Sequence, residues 1–408
     1  MKTQKGSFAL IIAMIIMVVT IQNLFAADNL FDAIKNGKTK GFMKTWYQTN
    51  NNGRDDRGMF AKENSIFDAG LMLGYYTDTF HGFGAGVTFY AVDDMALNDV
   101  LACNCIHNTE AKEVGTWLAE SYLSYKIRGT IAKIGRQKIA SPLLNSDSWA
   151  VVPNCFEAIM INSTDIPATK LTAAFVTEER WLKGKEFENI AGDGILMLGV
   201  VNKSLRNSFL SAWYYQADDN FGGKDTRAVY LETGTKISAV GLAAQYMLFS
   251  GDADIAENTT AFGAKLSWQK GIFELTGAYA SVSDGSFNAA KLSDHGIKTP
   301  IYSFTISGDG DIAGGVDTDS YKISAAANLI DGLKLTANYG YYDHGSHFAP
   351  SPNKQSTSIE LIATYTGFKD ITCFATYVLS DHNGVGAWSG ADVDDKLSSI
   401  RIWTQYNF

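Results

Sequence analysis

The fold is decided by the last nine residues of the chain, which read Ile400-Arg401-Ile402-Trp403-Thr404-Gln405-Tyr406-Asn407-Phe408. In a strand, successive side chains point to opposite faces, so Phe408, Tyr406, Thr404 and Ile402 share one face. Such a face fits the wall of a membrane β-barrel, where apolar and aromatic side chains point to lipid. We expect this strand to pair with the first one, because a barrel cannot leave an edge unpaired in hydrocarbon.

The same two-faced pattern recurs from about residue 41 onward. Residues 260–270 are a clear case, since Phe262, Ala264, Leu266 and Trp268 alternate with small or polar residues. About 18 strands are predicted, and a barrel of this size leaves an aqueous lumen and brings both chain ends to the periplasmic side. The predicted strands begin near residues 42, 67, 83, 117, 130, 156, 170, 195, 208, 227, 241, 260, 272, 319, 333, 356, 370 and 398.

The connections alternate between short turns and long polar loops. Short turns are marked by Gly82, Gly129, Gly271, Asp331-Gly332 and Gly367. A soluble sandwich has no physical reason for this alternation, whereas barrels assembled from hairpins show it routinely. The sequence therefore predicts an all-β, transmembrane, antiparallel barrel. The long loops cover residues 51–65, 96–116, 141–154, 182–194, 252–258, 285–318, 346–355 and 384–396.

The amino terminus has the pattern of a secretory signal peptide. Lys2 and Lys5 precede an apolar run from Phe8 to Val19, and small residues follow at Ala26-Ala27. That run is too short for a transmembrane helix, which needs about 20 residues. We expect a signal peptide over 1–26 and one barrel domain over 27–408. The formal net charge of -9 makes a nucleic-acid partner unfavourable.

Four cysteines in a secreted chain permit disulfides. Cys103 and Cys105 are too close in sequence for an unstrained mutual bridge, and Cys155 is the more plausible partner for one of them. Cys373 lies in an apolar series and is expected to act as a small hydrophobic residue. Cys103, Cys105 and His107 do not make a closed metal site by themselves, so no metal centre is predicted.

Charged residues cluster where predicted strands four and five run into the next loop. Alternation places Glu120, Lys126 and Arg128 on the inner face, where pore water would solvate them. Gly135 breaks the alternation and can mark a bulge, so Lys133 and Arg136 cannot both be placed inside. Solvated wall charges or loop salt bridges are an equally good explanation. The candidate constriction residues are Glu120, Lys126, Arg128, Arg136, Lys138 and Asp147.

Residues 135–158 resemble the third-loop region of the OprD-like substrate-selective porins, a family related to the major porins of campylobacter-type bacteria. The resemblance implies that this loop folds into the barrel and forms the constriction. Trp149 replaces an arginine that is common in the family, so the family's preferences for basic amino acids or carboxylates are not carried over. The matching positions are Gly135, Arg136, Gln137, Pro142, Leu143, Leu144, Asp147, Ser148, Pro153 and Phe156.

The resemblance implies a function in passive diffusion of small hydrophilic solutes and ions across the outer membrane of a Gram-negative bacterium. The aromatic terminal strand resembles the signal that the outer-membrane barrel-assembly machinery reads, so we expect recognition of Phe408 by that machinery, together with contacts with lipid and lipopolysaccharide. The resemblance to the campylobacter-type porins implies a homotrimer. A barrel enzyme of lipase or protease type, or an adhesin using loop 285–318, are the alternatives. We expect no enzyme activity, because no nucleophile, histidine and carboxylate combination stands out.

No cofactor is expected from the sequence. A loop-bound divalent cation is the exception that we consider, either on an acidic series at the end of loop 285–318 or on the pairs Asp55-Asp56, Asp93-Asp94 and Asp394-Asp395. Acidic surface loops are the commoner explanation. The acidic series consists of Asp309, Asp311, Asp317 and Asp319.

Overall fold

A computed structural model describes residues 29–51, 58–95, 115–146, 151–180, 186–220, 224–251, 259–283, 292, 301–306, 312–315, 317–344, 355–381 and 396–408. Helix α1 spans Leu30–Lys35, and a 3-10 helix spans Lys62–Asn64. The strands are β1 Lys38–Asn51, β2 Ser65–Tyr76, β3 Phe83–Asp93, β4 Gly115–Ile127, β5 Thr130–Gln137, β6 Cys155–Ser163, β7 Thr169–Arg180, β8 Glu188–Asn189, β9 Ile195–Asn202, β10 Ser208–Asn220, β11 Lys224–Ile237, β12 Val240–Gly251, β13 Thr259–Lys270, β14 Phe273–Ser283, β15 Asp319–Ile330, β16 Leu333–Asp343, β17 Gln355–Tyr365, β18 Ile371–Asp381 and β19 Lys396–Asn407.

The strands form one closed antiparallel sheet. β1 pairs with β2 on one side and with β19 on the other, in a register that joins Phe42 to Asn407. The two-residue strand β8 only extends the β7–β9 hairpin, which leaves an 18-strand barrel. The predicted fold is therefore confirmed, and each predicted strand start lies within four residues of the observed one.

The outer face of the barrel is apolar over most of its surface. Large hydrophobic side chains such as Met43, Leu123 and Ile323 are exposed there, and they alternate with residues that point inward. The terminal strand follows the prediction, since Ile402 and Phe408 are exposed while Arg401 is buried. This arrangement is favourable because Arg or Lys on a lipid-facing position costs roughly 2–4 kcal/mol near the bilayer midplane.

The start of β1, the carboxyl-terminal residue Phe408 and the short turns lie at one end of the barrel. Gly41 and Phe408 exchange two backbone hydrogen bonds of 2.9 and 3.0 Å, which join the first strand to the last. Gly271 and Gly332 adopt positive φ angles of 58° and 79° in two of the turns, a conformation that glycine adopts without steric cost. None of the helices within the described ranges is long and apolar enough to cross a membrane.

The inner face is less uniform than the sequence predicts. Alternation alone predicts apolar residues outside and small or charged residues inside, but β6 to β14 also bury apolar side chains on their inner face. These side chains pack against segments of the long connections that enter the lumen. The inner apolar set includes Met160, Val176, Met197, Tyr215, Tyr230, Met247, Phe249 and Val282.

Candidate pore constriction

The connection between β5 and β6 folds back on itself in a tight hairpin. The backbone N–H of Ser146 donates to the carbonyl of Ile139 at 2.7 Å, and the N–H of Ile139 donates to Ser146 Oγ at 3.0 Å. At the tip, Ser141 Oγ donates to the carbonyl of Leu144 at 2.6 Å. These bonds satisfy backbone groups that would otherwise be unpaired, so the hairpin can be buried at little cost.

The tip of this hairpin is inserted into the apolar inner wall. Leu144 is 0% exposed and Leu143 is 1% exposed, and both pack in the cluster that contains Met160 and Met197. The backbone N–H of Leu143 donates to the hydroxyl of Tyr215 on β10 at 3.3 Å. The prediction of an inward-folded third loop is therefore confirmed for residues 138–146.

The other end of the same connection contacts a different wall. Val151 packs with Trp46 and Ile66 of β1 and β2, and Val152 packs in the cluster that contains Tyr90. In the ring of 18 strands, β1 and β10 are eight pairings apart in one direction and ten in the other. The described ends of the loop thus contact nearly opposite sides of the lumen.

Three charged residues lie beside the hairpin, one on β4, one on β5 and one directly after β5. Lys138 Nζ is 3.4 Å from Glu120 Oε1, and Glu120 is almost fully buried. Lys133 Nζ lies 4.1 Å from the ring centroid of Tyr122, within the range of a cation–π contact. We call Glu120, Lys133 and Lys138 the lumen triad. The structure brings together two of the predicted constriction residues, Glu120 and Lys138, and adds Lys133.

Arg136 has its own partners on neighbouring elements. Its Nε is 2.6 Å from Glu157 Oε1 on β6, and its guanidinium carbon lies 4.1 Å from the ring centroid of Phe187. Gly135 has φ +118°, but the pairing register of β5 with β4 and with β6 continues through it without a shift, so the predicted bulge is not present in these two pairings. Arg136 is therefore held in an ion pair with the adjacent strand, and its charge is compensated there.

Two predicted constriction residues lie far from the hairpin. Arg128 occupies the turn after β4 with φ 51°, so it belongs to the short-turn rim and not to the inner wall. Lys126 is exposed near the same end, and six residues of strand separate it from Glu120, or about 20 Å. The prediction that these two residues line the constriction is corrected, because alternation gives the face of a residue but not its height. Asp147 and Trp149 lie outside the described residues.

A second segment, which the sequence did not reveal, also enters the lumen. Residues 301–306 belong to the connection between β14 and β15, which we expected at the surface. Ile301 packs in the same apolar cluster as Leu143 and Leu144. Lys322 Nζ donates to the carbonyl of Phe304 at 2.8 Å. The run Ile301-Tyr302-Ser303-Phe304, with three large hydrophobic residues in four positions of a polar loop, was the signal that could have indicated burial.

Tyr302 links this second inserted segment to the wall. Its hydroxyl donates to Glu232 Oε1 at 2.6 Å, and Lys265 Nζ lies 4.2 Å from its ring centroid. Burial, and then the hydrogen bond to Glu232, raise the pKa of Tyr302 above its ordinary value. The phenol therefore remains protonated at neutral pH and acts as the donor in this contact.

Further cations of the inner wall lie over aromatic rings. Lys44 Nζ is 5.0 Å from the ring centroid of Trp46 and 4.9 Å from that of Trp403. Arg401 Nε donates to Gln48 Oε1 at 3.1 Å. These contacts hold the side chains in fixed positions along the wall of β1 and β19.

Cys155 is a free, buried thiol 3.6 Å from the hydroxyl of Tyr90. The predicted bridge from Cys155 to Cys103 or Cys105 is therefore wrong as regards Cys155, while the other two lie outside the described residues. Cys373 is also free. Within the described ranges, no group of three His, Cys, Asp or Glu residues is arranged to hold a metal ion.

The barrel is similar to solved porin structures along almost its whole length. OccK3 (OpdO) of Pseudomonas aeruginosa matches with a TM-score of 0.72 at 14% identity, covering 93% of this chain and 97% of that one. OccAB1 of Acinetobacter baumannii matches with a TM-score of 0.72 at 14% identity, covering 92% and 97%. OpdQ of Pseudomonas aeruginosa matches with a TM-score of 0.71 at 15% identity, covering 93% and 99%.

No protein-family model and no curated protein sequence matches the chain. The neighbours above belong to the OprD/Occ group of porins. The fold and the inserted third connection define this chain as a porin-like barrel, and the resemblance to the OprD-like porins is confirmed at the level of the fold.

Proposed function

We propose that this chain is an outer-membrane porin that allows passive, non-enzymatic diffusion of small hydrophilic solutes and ions. The observation that carries the proposal is a closed barrel with an apolar outer face and charged residues such as Lys44, Glu120 and Arg401 on its inner face. Charges at these positions avoid the lipid, where Arg or Lys would cost roughly 2–4 kcal/mol near the bilayer midplane.

The inserted segments support a selective pore. The hairpin 138–146 and the segment 301–306 fill part of the lumen, and the lumen triad lies beside the first of them. We propose that Glu120, Lys133 and Lys138 act together with Asp147 as the constriction. Cationic and anionic groups at a narrow point set up a field across the pore, which orients dipolar solutes and biases ion passage.

The proposed location is the outer membrane of a Gram-negative bacterium, in contact with lipid and lipopolysaccharide. Exposed aromatic residues at the short-turn end, including Tyr406 and Phe408, fit the girdle at a membrane interface. Recognition of Phe408 by the barrel-assembly machinery and assembly into a homotrimer are part of the same proposal.

The test is reconstitution of the purified full chain into a planar bilayer under a salt gradient. We expect stepwise current increases that follow the voltage linearly, with a reversal potential that reports cation or anion preference. A protein heated to unfolding before addition is the control for detergent artefacts. A correctly folded barrel that gives no conductance in repeated insertions would rule out the porin function and leave the enzyme and adhesin alternatives.

A further inference from the structure

Helix α1 lies outside the barrel and carries an exposed apolar surface. Leu30 is 61% exposed, Phe31 is 73% exposed and Ile34 is 49% exposed. The helix is well formed in spite of its length, because the Asn29 side chain accepts a hydrogen bond from the N–H of Asp32 at 2.8 Å. Three large exposed hydrophobic residues among six helical positions form an apolar surface of the kind that marks an interaction site.

The exposed apolar residues share one face of the helix. At about 100° per residue, Leu30, Ile34 and Phe31 fall within an arc of about 100°. Ala33 lies at one flank of this arc and is buried against the barrel, while Asp32 points away from it. The helix is thus amphipathic, with its apolar face turned away from the protein.

The helix is attached to the barrel at Tyr75, on the outer face of β2, and at Asp78, in the short turn after β2. The hydroxyl of Tyr75 on β2 donates to the carbonyl of Ile34, and the N–H of Asp78 donates to the carbonyl of Ala33 at 2.9 Å. Tyr75 shares its face of β2 with Leu73, an exposed outward residue. The apolar face of α1 therefore continues the apolar outer surface of the barrel.

The height of the helix coincides with the aromatic girdle at the short-turn end. Phe83 begins β3 at this end, is exposed, and lies 4.8 Å from the Tyr125 ring between centroids. Aromatic residues collect where the headgroups meet the acyl chains. A helix at this height places Leu30, Phe31 and Ile34 where amphipathic helices lie in a membrane interface.

We propose that α1 is an interfacial helix that binds the phospholipid surface at the short-turn end of the barrel. Leu30, Phe31 and Ile34 enter the boundary between headgroups and acyl chains, and the exposed Lys35 lies beside the headgroup phosphates. The inference rests on the proposed membrane-spanning barrel. A second copy of this chain on the same face is the competing occupant.

The test uses the full chain in vesicles of phosphatidylcholine and phosphatidylglycerol, with a spin label at Phe31→Cys. The native cysteines are first replaced, with alanine at the buried Cys155 and serine elsewhere. Collisions with dissolved oxygen and with a water-soluble nickel chelate are measured. Leu73→Cys is the lipid-facing control, and Ser204→Cys in an exposed turn is the aqueous control.

We expect the label at residue 31 to collide with oxygen as often as the label at residue 73, and with nickel several-fold less than the label at residue 204. Nickel collisions equal to those at residue 204 would overturn the proposal. Dipolar broadening between labels at residue 31 would also overturn it, in favour of a second copy. Nickel access at residue 73 as well would refute the membrane barrel itself.

A second measurement avoids the cysteine replacements. Phe31→Trp in the otherwise unchanged chain adds one indole, and phospholipids brominated on the upper acyl chain quench only fluorophores near that depth. We expect the added fluorescence to be quenched, whereas Ser204→Trp adds fluorescence that is not quenched. Equal quenching behaviour of the two variants would contradict the interfacial position.

Discussion

The inner surface of the barrel has two walls of different chemistry. On β6 to β14, the buried inner positions are mostly apolar, as at Met160, Met197 and Met247. On β15 to β19 and β1 to β4, they include most of the buried ionic and hydroxyl groups of the described barrel. The second wall carries Lys44, Gln48, Asp68, Thr88, Glu120, Ser320, Ser358, Glu360, Ser380 and Arg401.

The difference follows from what covers each wall. The apolar wall is covered by the hairpin 138–146 and by Ile301 of the second inserted segment. The polar wall also contains a few apolar patches. Val151 packs against one of them, which is formed by Trp46 and Ile66. Burial of apolar surface contributes roughly 25 cal/mol per Å², so inner apolar positions hold inserted segments in place. Inner polar positions also contact an inserted segment, but through hydrogen bonds, as between Ser303 Oγ and Ser320 Oγ at 2.6 Å.

The largest expected effect comes from removing the anchor on the apolar wall. In the double variant Leu143→Ala with Leu144→Ala, each truncation of a fully buried leucine costs about 2–5 kcal/mol. We expect the hairpin to leave the wall, so that single-channel conductance rises and open-channel current noise increases. The barrel itself should remain folded, which heat-modifiable gel mobility checks.

Leu205→Ala is the matched control, since Leu205 lies exposed in a short turn. Its conductance should equal that of the unchanged chain. If the double variant also keeps the original conductance and noise, apolar contacts do not hold the hairpin. The apolar character of this wall would then not explain how the hairpin is held in the lumen.

A smaller effect is expected at the anchor on the other wall. A Cβ added at Gly70 would overlap with Val151 Cγ1, so Gly70→Val forces the loop away from β2. Overpacking of this kind costs about 1–3 kcal/mol. We expect a lower melting temperature and altered conductance. Gly277→Val is the control, because a Cβ at Gly277 meets nothing within 4 Å. Equal behaviour of both variants would show that Val151 does not need this contact.

The fold was predictable because it rests on local signals. Period-two alternation gives the face of each residue, short turns and long loops give the strand limits, and the closing strand is marked by Phe408. These signals need no knowledge of distant contacts. The inserted third connection was predicted in a different way, from the resemblance of residues 135–158 to the third-loop region of the OprD-like porins.

The site was predictable only in part, because it depends on height in the barrel and on contacts between distant segments. Arg128 shares the parity of Glu120 but lies in a turn, since β4 ends at Ile127. The segment 301–306 is buried by partners on β11, β15 and β16, which are remote in sequence. The apolar residues of this run could have indicated burial, but a local pattern does not identify such distant partners.

A change in ion preference is expected from the lumen triad. Glu120→Gln removes a negative charge beside Lys138 and should move the reversal potential toward anion selectivity, while Lys138→Met should move it toward cation selectivity. Lys334→Met is the control, because Lys334 pairs with Glu274 at 2.6 Å near the short-turn end. Shifts of the same sign in the two triad variants would exclude a constriction at this position.

The smallest effect is expected at Tyr302→Phe, which tests whether the second inserted segment is also held mainly by apolar contacts. The variant removes the hydroxyl that donates to Glu232 at 2.6 Å and leaves the ring under Lys265. A hydrogen bond to a charged group contributes about 1.5–3 kcal/mol, but water in the lumen can hydrate Glu232 and offset part of the loss. We expect a slight increase in current noise and an unchanged mean conductance. Tyr321→Phe, on the exposed outer face, is the control and should show neither. A conductance change as large as that of the leucine double variant would mean that a polar contact anchors residues 301–306, so that the two inserted segments are held by different forces.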